Sequence, residues 1–185
     1  MERVIEAPPP AMAAILRLLN ETGMRANEAA TLHAEDVRWR ERQIALTRTK
    51  TNRPRTIAWS TPGGDAGLVL AERRWPHGPL FPSSRGEPYR NLPTHAAKVV
   101  AAVAERERRA GRPFRRFRIH DLRHGFAIRA LRNGMSLYVL SKHFGHSSVR
   151  TTEVYLAYLT AGEQAAAVGT NEGTERELRA KRESA

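Results

Sequence analysis

Apolar residues recur at helical spacing in four segments of the chain, residues 11–20, 95–109, 120–132 and 136–142. In the first segment, Ile15, Leu18 and Leu19 fall on one face, as in an amphipathic helix. Gly23 follows as a candidate C-cap, and Ser136 precedes the fourth segment as a candidate N-cap. These four segments are predicted to form helices that pack through their apolar faces.

Between residues 42 and 60 the pattern changes to an alternation of apolar and polar positions. Ile44 and Leu46 alternate with polar neighbours, and Ile57 does so again after a turn at residues 51–54. Because side chains of a strand point to opposite faces in turn, this alternation predicts a β-hairpin, with Lys50 near its tip.

Glycines and prolines shape the segment that follows the hairpin. Residues 62–74 are predicted to form a short helix, which three glycines weaken. The glycine- and proline-rich residues 78–89 predict a short third strand or a β-turn region.

The composition favours a polyanionic partner. Lysine and arginine number 31 against 19 acidic residues, which gives the chain of 185 residues a net charge of +12. A charge of this sign and size suits nucleic acid first and an acidic membrane surface second. The length fits one domain, and a second large domain is not expected.

The sequence contains no predicted membrane span. No apolar run approaches the roughly 20 residues that cross a bilayer, and no signal peptide opens the chain. Cysteine is absent, which agrees with a reducing compartment. We therefore expect a soluble, cytoplasmic protein that associates with the nucleoid.

Residues 118–159 concentrate side chains suited to phosphate chemistry. His120 and Arg123 are three positions apart and can address one small target from a shared helix face. Arginine binds two phosphate oxygens with its planar fork and stays protonated. Tyr155 follows on another predicted helix, and a phenol with a pKa of about 10 attacks a phosphate only where the site stabilises its phenolate or removes its proton. The expected target is an anion.

Five sequence elements resemble the tyrosine recombinase (phage integrase) family. HDLRH at 120–124, FGH at 144–146 and TTEVY at 151–155 resemble the family's H-x-x-R, L-G-H and T-T-x-x-Y boxes. TGMRANE at 22–28 resembles its T-G-x-R-x-x-E box, and TKTNRPR at 49–55 its lysine-bearing β-hairpin. They follow the family's order across residues 11–159. The resemblance implies the tyrosine recombinase catalytic-domain fold, which is mainly α with a small antiparallel β-sheet (α+β).

The resemblance also implies the chemistry. The protein would be a site-specific DNA recombinase or integrase that cleaves and rejoins strands through a 3′-phosphotyrosyl intermediate. That intermediate conserves bond energy, so we expect neither a metal nor another cofactor. The implied roles are Tyr155 as nucleophile, Arg25 and Arg123 as clamps on the phosphate, Lys50 as the acid for the leaving 5′-oxygen, His120 in proton transfer, His146 as a hydrogen-bond partner of the phosphate, and Glu28 as a support from within the fold.

Arginines outside the catalytic set are candidates for DNA contact. Arg53 and Arg55 on the hairpin are interpreted as backbone-contact or surface residues. A second group, the basic segment, consists of Arg112, Arg115, Arg116 and Arg118. Such a run can neutralise phosphates on either side of the reacting one, although an exposed loop is the alternative. The expected partner is double-stranded DNA, on which the chain would assemble as a homo-oligomer, a tetramer.

The histidines allow a rival interpretation, a metal site. His120 and His124 are four residues apart, and His143 and His146 are three apart. The HExxH pattern is absent, however, and no recognisable motif adds a carboxylate ligand. We expect no metal here, with His124 a buried, hydrogen-bonded structural residue and His143 a surface or packing residue.

Four tyrosines compete as the nucleophile. Tyr89 lies in a turn and Tyr138 on an apolar helix, whereas Tyr155 and Tyr158 share a helix face and cannot be separated by pattern. The resemblance selects Tyr155. Ala157 departs from the family, where a histidine or another basic residue often stands two positions after the nucleophile.

The division of the chain follows from the same resemblance. Residues 1–165 are expected to form the catalytic domain, with little or no N-terminal core-binding domain. Residues 166–185 are a tail that docks on a neighbouring protomer or is disordered. Two other functions stay open, a non-catalytic DNA-binding relative and a topoisomerase-like enzyme that relaxes DNA.

Overall fold

The computed structural model describes residues 10–47, 54–73 and 76–168, and helices predominate in them. The α-helices are α1 (Pro10–Thr22), α2 (Ala26–Ala30), α3 (Gly67–Ala71), α4 (Leu92–Arg109), α5 (Ile119–Arg132), α6 (Leu137–Phe144), α7 (Arg150–Glu153) and α8 (161–168). Two 3₁₀ helices, Ala34–Asp36 and Val154–Tyr158, complete the helical part. The four helices that the apolar spacing predicted are confirmed as α1, α4, α5 and α6.

Two small antiparallel sheets accompany the helices. The first has the order β1 (Val37–Arg38), β2 (Gln43–Leu46), β3 (Arg55–Ala58), and the second pairs β4 (Ser60–Thr61) with β5 (Gly64–Asp65). Strands β2 and β3 pair from Gln43 with Ala58 to Leu46 with Arg55, so the predicted hairpin is confirmed. Its connecting residues 48–53, which include Lys50 and Arg53, lie outside the described residues. The mainly α fold class with a small antiparallel sheet is confirmed.

Helix α1 forms the centre of the core. Its residues Ile15, Leu16 and Leu18 are fully buried, and it packs along α5, whose Leu122 and Phe126 are also inaccessible. Burying apolar side chains of this size stabilises the fold by about 1.5–3 kcal/mol each. Since the loop after α1 carries Arg25 and α5 carries Arg123, this packing sets the distance between two of the candidate catalytic residues.

Two segments differ from their predictions, and a third takes one of its two predicted forms. The helix predicted at 62–74 is confined to α3, because the residues before it pair as β4 and β5. Residues 78–89 form a turn region with one isolated bridge, between His33 and Pro79, which is the second of the two predicted alternatives. The helix predicted for Tyr155 ends as α7 at Glu153 and continues as a 3₁₀ helix.

Three further predictions concern membrane spans, the domain boundary and the C-terminal tail. None of the described helices is both long and apolar enough to cross a membrane. The boundary predicted at residue 165 falls within α8, where Ala167 is buried against the core around Phe144. The rest of the predicted tail, residues 169–185, lies outside the described residues.

Candidate active site

Arg123 lies on the buried face of α5, with 4% of its surface exposed. Its Nη1 donates to the Gly23 carbonyl at 2.7 Å and its Nη2 to the Phe144 carbonyl at 3.1 Å. The guanidinium also stacks on Phe144, 3.6 Å from the ring centre. Burial and, second, the charge of Arg25 lower the pKa of Arg123 to about 9, so it stays protonated at neutral pH. The site therefore contains a buried cation with a fixed orientation.

Gly23 allows this arrangement because it ends α1 in the left-handed conformation, with φ +62°. A Cβ at this position would lie 2.5 Å from Cδ1 of Phe126 and 2.9 Å from Cε1 of Phe144. The glycine that the sequence predicted as a C-cap thus also lets the Arg25 loop approach α5 and α6 closely.

Arg25 is the N-cap residue of α2, and Glu28 holds it at both ends. The backbone N–H of Arg25 donates to Oε2 of Glu28 at 2.8 Å, and its Nη1 donates to Oε1 at 3.1 Å. The side chain is 33% exposed. Its Nε and Nη2 have no hydrogen-bond acceptor among the described residues, so they can donate to an anion.

Glu28 is the buried carboxylate at the centre of the site, with 4% exposure. Besides Arg25 it binds Arg55, whose Nη1 and Nη2 donate to Oε1 at 2.7 Å and Oε2 at 2.9 Å. Burial raises the pKa of Glu28, but the hydrogen bonds and charges of Arg55 and Arg25 outweigh it and the pKa is lowered. The role expected for Glu28, support from within the fold, agrees with this geometry.

Arg55 corrects the interpretation of the hairpin arginines. It was expected at the surface or on the DNA backbone, yet only 13% of its side chain is exposed. Its Nε donates to the His143 carbonyl at 3.1 Å, so all three of its nitrogens bind protein acceptors. The sequence could not indicate this, because Glu28 and His143 are distant in the chain.

His146 follows α6 in a tight turn. Gly145 ends the helix with φ +65°, and the backbone N–H of His146 returns to the Ser141 carbonyl at 3.0 Å. The ring is partly exposed, with Nδ1 2.8 Å from Oγ1 of Thr152 and Nε2 3.4 Å from Nη2 of Arg123. Burial, then the charges of Arg123, Arg25 and Arg55, lower its pKa to about 4. At neutral pH the imidazole is therefore uncharged.

Tyr155 is buried in the 3₁₀ helix Val154–Tyr158, with 4% exposure. Its ring centre lies 6.1 Å from that of Phe144 and 5.5 Å from that of His124. Burial raises the pKa of Tyr155, and the charge of Arg123 acts in the opposite direction. Tyr158 is 59% exposed, so the two tyrosines that sequence pattern could not separate occupy different environments.

His120 and His124 form a pair on α5, with ring centres 4.7 Å apart. His120 is exposed as a whole residue, but the partial burial of its ring and, second, the charge of His124 lower its pKa. His124 is only partly buried and contacts the rings of His120 and Tyr155, which corrects the expectation of a buried, hydrogen-bonded histidine. In the described part of the chain no three His, Asp or Glu side chains are grouped as metal ligands would be.

His143 is a packing residue, one of its two predicted roles. Its ring stacks on Phe126 at 5.1 Å between centres, and its Nε2–H donates to the Thr22 carbonyl at 2.7 Å. Burial lowers its pKa to about 4, although the bond to Thr22 opposes this.

Thr152 is a site residue for which the sequence predicted no role, although it stands in the TTEVY run. It is fully buried and its hydroxyl is hydrogen-bonded to His146.

The basic segment has two parts. All four arginines are exposed, as a DNA contact requires, and Arg118 also pairs with Asp121 at the start of α5. Arg112 differs from the others in its partner, because it donates to Glu107, a carboxylate with 1% exposure, from both Nε and Nη2. This pair fastens the segment to α4, so the structure gives Arg112 an anchoring contact that the sequence did not indicate.

Comparison with protein families supports one classification. Residues 2–161 match the sequence model described as the phage integrase family. The chain is 32% identical over 151 residues to a putative integrase/recombinase, y4gC, of Sinorhizobium fredii, covering 80% of this chain and 76% of that protein. It is 30% identical over 154 residues to tyrosine recombinase XerD of Yersinia pestis, where it covers 77% of this chain but 48% of the relative. The chain thus spans about half the length of XerD.

Solved structures show the same fold. The XerA recombinase superposes with a TM-score of 0.60 at 25% identity, covering 87% of this chain and 57% of that one. The catalytic domain of bacteriophage HP1 integrase superposes with a TM-score of 0.60 at 24% identity over 89% of this chain and 87% of that domain. A lambda integrase dimer bound to a COC′ core site gives a TM-score of 0.62 at 18% identity, covering 83% and 44%.

Proposed function

The chain belongs to the phage integrase family of tyrosine recombinases, and from this we propose that it is a site-specific DNA recombinase that cleaves and rejoins strands through Tyr155. The observation that carries the proposal is the convergence of Arg123, Arg25 and His146 beside Tyr155. Arg123 is hydrogen-bonded to the loop before Arg25 and lies 3.4 Å from His146, and its charge acts on the pKa of Tyr155. Such a set neutralises charge that develops on a phosphate in the transition state.

In the proposed reaction the Tyr155 oxygen attacks a backbone phosphorus. The new bond is a 3′-phosphotyrosine, and the bond that breaks is the one from phosphorus to the 5′-oxygen. Arg123 and the two uncommitted donors of Arg25 bind the non-bridging oxygens. His120 accepts the phenol proton, and its lowered pKa supports this role because the ring is neutral at neutral pH.

The leaving 5′-oxygen takes a proton from Lys50, which belongs to the same proposal by family resemblance. Rejoining reverses the step when another 5′-hydroxyl attacks the phosphotyrosine and Tyr155 leaves. Because the phosphotyrosine conserves the energy of the phosphodiester, neither ATP nor a further cofactor is required by this sequence of steps.

The proposed partner is double-stranded DNA. A net charge of +12 and the exposed Arg115, Arg116 and Arg118 support contacts to phosphates on either side of the reacting one. The proposed assembly on DNA is a homo-tetramer, in which the part of the predicted tail beyond α8, residues 169–185, docks on a neighbouring protomer and the protein acts at the nucleoid. The lambda integrase dimer bound to a core site is a precedent from a protein of the same fold.

A nicked substrate tests the proposal directly. Cleavage next to the nick releases a short fragment that carries the 5′-hydroxyl, and this fragment diffuses away, so the wild-type chain should accumulate a denaturant-resistant DNA adduct in EDTA. The Tyr155→Phe variant should form none while binding DNA as before, because only the attacking oxygen is lost. The Tyr158→Phe variant is the matched control and should form the adduct normally.

Other outcomes separate the alternatives. An adduct that persists in Tyr155→Phe and disappears in Tyr158→Phe contradicts the choice of nucleophile. Absence of any adduct, also after a DNA-binding domain is fused in front of the chain, favours the non-catalytic alternative. Relaxation of a supercoiled plasmid by a monomer without synapsis favours the topoisomerase-like alternative.

A further inference from the structure

Arg55 begins strand β3, where it pairs with Leu46 of β2. Its side chain points away from solvent, with 13% exposed, and its three nitrogens donate to two acceptors from different elements. Nη1 and Nη2 bind the two oxygens of Glu28, and Nε binds the His143 carbonyl in the last turn of α6. Because the guanidinium of Arg55 is planar and makes three hydrogen bonds, it fixes the relative positions of β3, α2 and α6.

On one side, Arg55 determines the position of Arg25. The carboxylate of Glu28 accepts from both arginines, and the same oxygens serve each of them. Without Arg55 this carboxylate would be free to rotate and to take up the remaining donors of Arg25. The two donors that Arg25 has available for a phosphate therefore depend on the bond between Glu28 and Arg55.

On the other side, Arg55 determines the position of the turn that carries His146. A Cβ at Gly145 would lie 3.0 Å from Cδ and 3.2 Å from Nε of Arg55, so the turn packs directly on this side chain. The bond from Nε to the His143 carbonyl fixes the end of α6 two residues earlier. Both contacts act on the backbone that leads into His146.

We propose that Arg55 is a positioning residue for strand cleavage, which holds Arg25 and the His146 turn at the separation at which both reach one phosphate. The proposal rests on the proposed recombinase function. It differs from a DNA contact, because every Arg55 nitrogen is already bound to protein. It also differs from simple charge neutralisation of Glu28, which a lysine at this position would achieve.

The test compares Arg55→Lys and Arg55→Gln with the wild-type chain. Single-turnover formation of the covalent adduct on a nicked substrate measures the reaction, and fluorescence anisotropy with intact duplex measures binding. We expect adduct formation to fall by about 100-fold in Arg55→Gln and at least about tenfold in Arg55→Lys, because small misplacements of catalytic groups cost this much. DNA affinity should stay within about threefold of wild type in both.

Arg38→Gln is the matched control, since Arg38 is an exposed arginine on β1 of the same sheet. It should leave adduct formation unchanged. Thermal unfolding identifies variants that do not fold, and if Arg55→Gln is one of them, Arg55→Lys decides the question.

Three results overturn the inference while the wild-type chain still forms its adduct. Full activity in Arg55→Lys would show that charge alone is needed. Full activity in folded Arg55→Gln would show no role. A loss of affinity that matches the loss of adduct would show a DNA contact. If the wild-type chain itself forms no adduct, the proposed function fails instead.

Discussion

The Nε2 atom of His146 and the Nη2 atom of Arg123 lie 3.4 Å apart. Since an arginine nitrogen only donates, Nε2 is the acceptor in this arrangement, and Nδ1–H donates to the Thr152 hydroxyl. A threonine hydroxyl can also donate, which would leave a proton on Nε2 for a phosphate oxygen. Thr152 thus supports both tautomers of a neutral His146, the one that the contact with Arg123 favours and one that would bind phosphate.

Removing the Thr152 hydroxyl should therefore slow cleavage. Thr152→Val keeps the shape of a fully buried side chain but leaves Nδ1 of His146 without its partner. The loss of one buried hydrogen bond, about 1–2 kcal/mol, predicts about a tenfold slower adduct formation. Thr151→Val is the control, because the neighbouring Thr151 is exposed. Equal rates for the two variants would contradict this role of Thr152.

A pair of glycines with the same backbone conformation tests the close packing behind Arg25. Gly23 and Gly111 have φ of +62° and +65°, but only a Cβ at Gly23 would meet other atoms, in Phe126 and Phe144. Gly111→Ala should cost about 1 kcal/mol from backbone strain alone. Gly23→Ala should cost at least about 2 kcal/mol more, since it also overpacks the core. Urea unfolding of both variants measures the difference, and similar losses would contradict the packing described.

Stability should fall between neutral and mildly acidic pH because of His143. Burial lowers its folded pKa to about 4 from 6.5, so below pH 6.5 the unfolded chain takes up a proton that the folded chain does not. The free energy of unfolding should drop by about 2 kcal/mol from this residue between pH 7 and pH 5. In His143→Gln, urea unfolding should show a smaller drop, even though the variant is less stable at pH 7. An unchanged drop would assign the pH dependence elsewhere.

The arginines of the basic segment should differ in their effect on DNA binding. Arg115→Gln removes an exposed charge and should lower the slope of log affinity against log salt by about one. Arg112→Gln should leave the slope nearly unchanged and destabilise the fold, because it removes one of the two arginines, the other being Arg106, that bind buried Glu107. Anisotropy titrations across salt concentrations measure both slopes. A reduced slope in Arg112→Gln would restore Arg112 as a DNA contact.

The sequence was informative where spacing along one element determines the geometry. The apolar periodicity located α1 and α5, and the alternation around Ile44 and Ile57 located the hairpin. Gly23 was found as a C-cap because a helix end of this kind favours glycine. The spacing of His120 and Arg123 indicated only an anion-binding pair, whereas Arg25, His146 and the choice of Tyr155 came from family resemblance.

The contacts that the sequence missed join elements distant in the chain. Arg55 stands 27 residues after Glu28, and its bond to the His143 carbonyl spans 88 residues, so no local pattern contains them. An arginine at a strand start is most often solvated, and only tertiary packing buries this one. Arg112 was missed for a different reason: Glu107 stands only five residues earlier, but it lies in a charged helix end that looks exposed in sequence.

Arg123 should be indispensable for cleavage, because its buried guanidinium is held in one orientation by hydrogen bonds from both Nη atoms. Arg123→Lys keeps one charge but cannot donate to the Gly23 and Phe144 carbonyls and to a phosphate in the same geometry. The loss of a preorganised donor at such a site, about 3 kcal/mol, predicts adduct formation at least about 100-fold slower. Single-turnover rates on a nicked substrate measure this effect, and affinity for intact duplex should change much less.

Arg129→Lys separates this catalytic role from a structural one. Arg129 lies on the same helix and also donates to two carbonyls, those of Gly63 and Asn20, but it makes no hydrogen bond to Gly23, Phe144 or His146. Both lysine variants should lower the free energy of unfolding, because each leaves a carbonyl without its donor. Only Arg123→Lys should slow adduct formation severely. If Arg129→Lys slows it equally, the effect of Arg123 is one of fold stability, and the assignment of its charge to the phosphate is wrong.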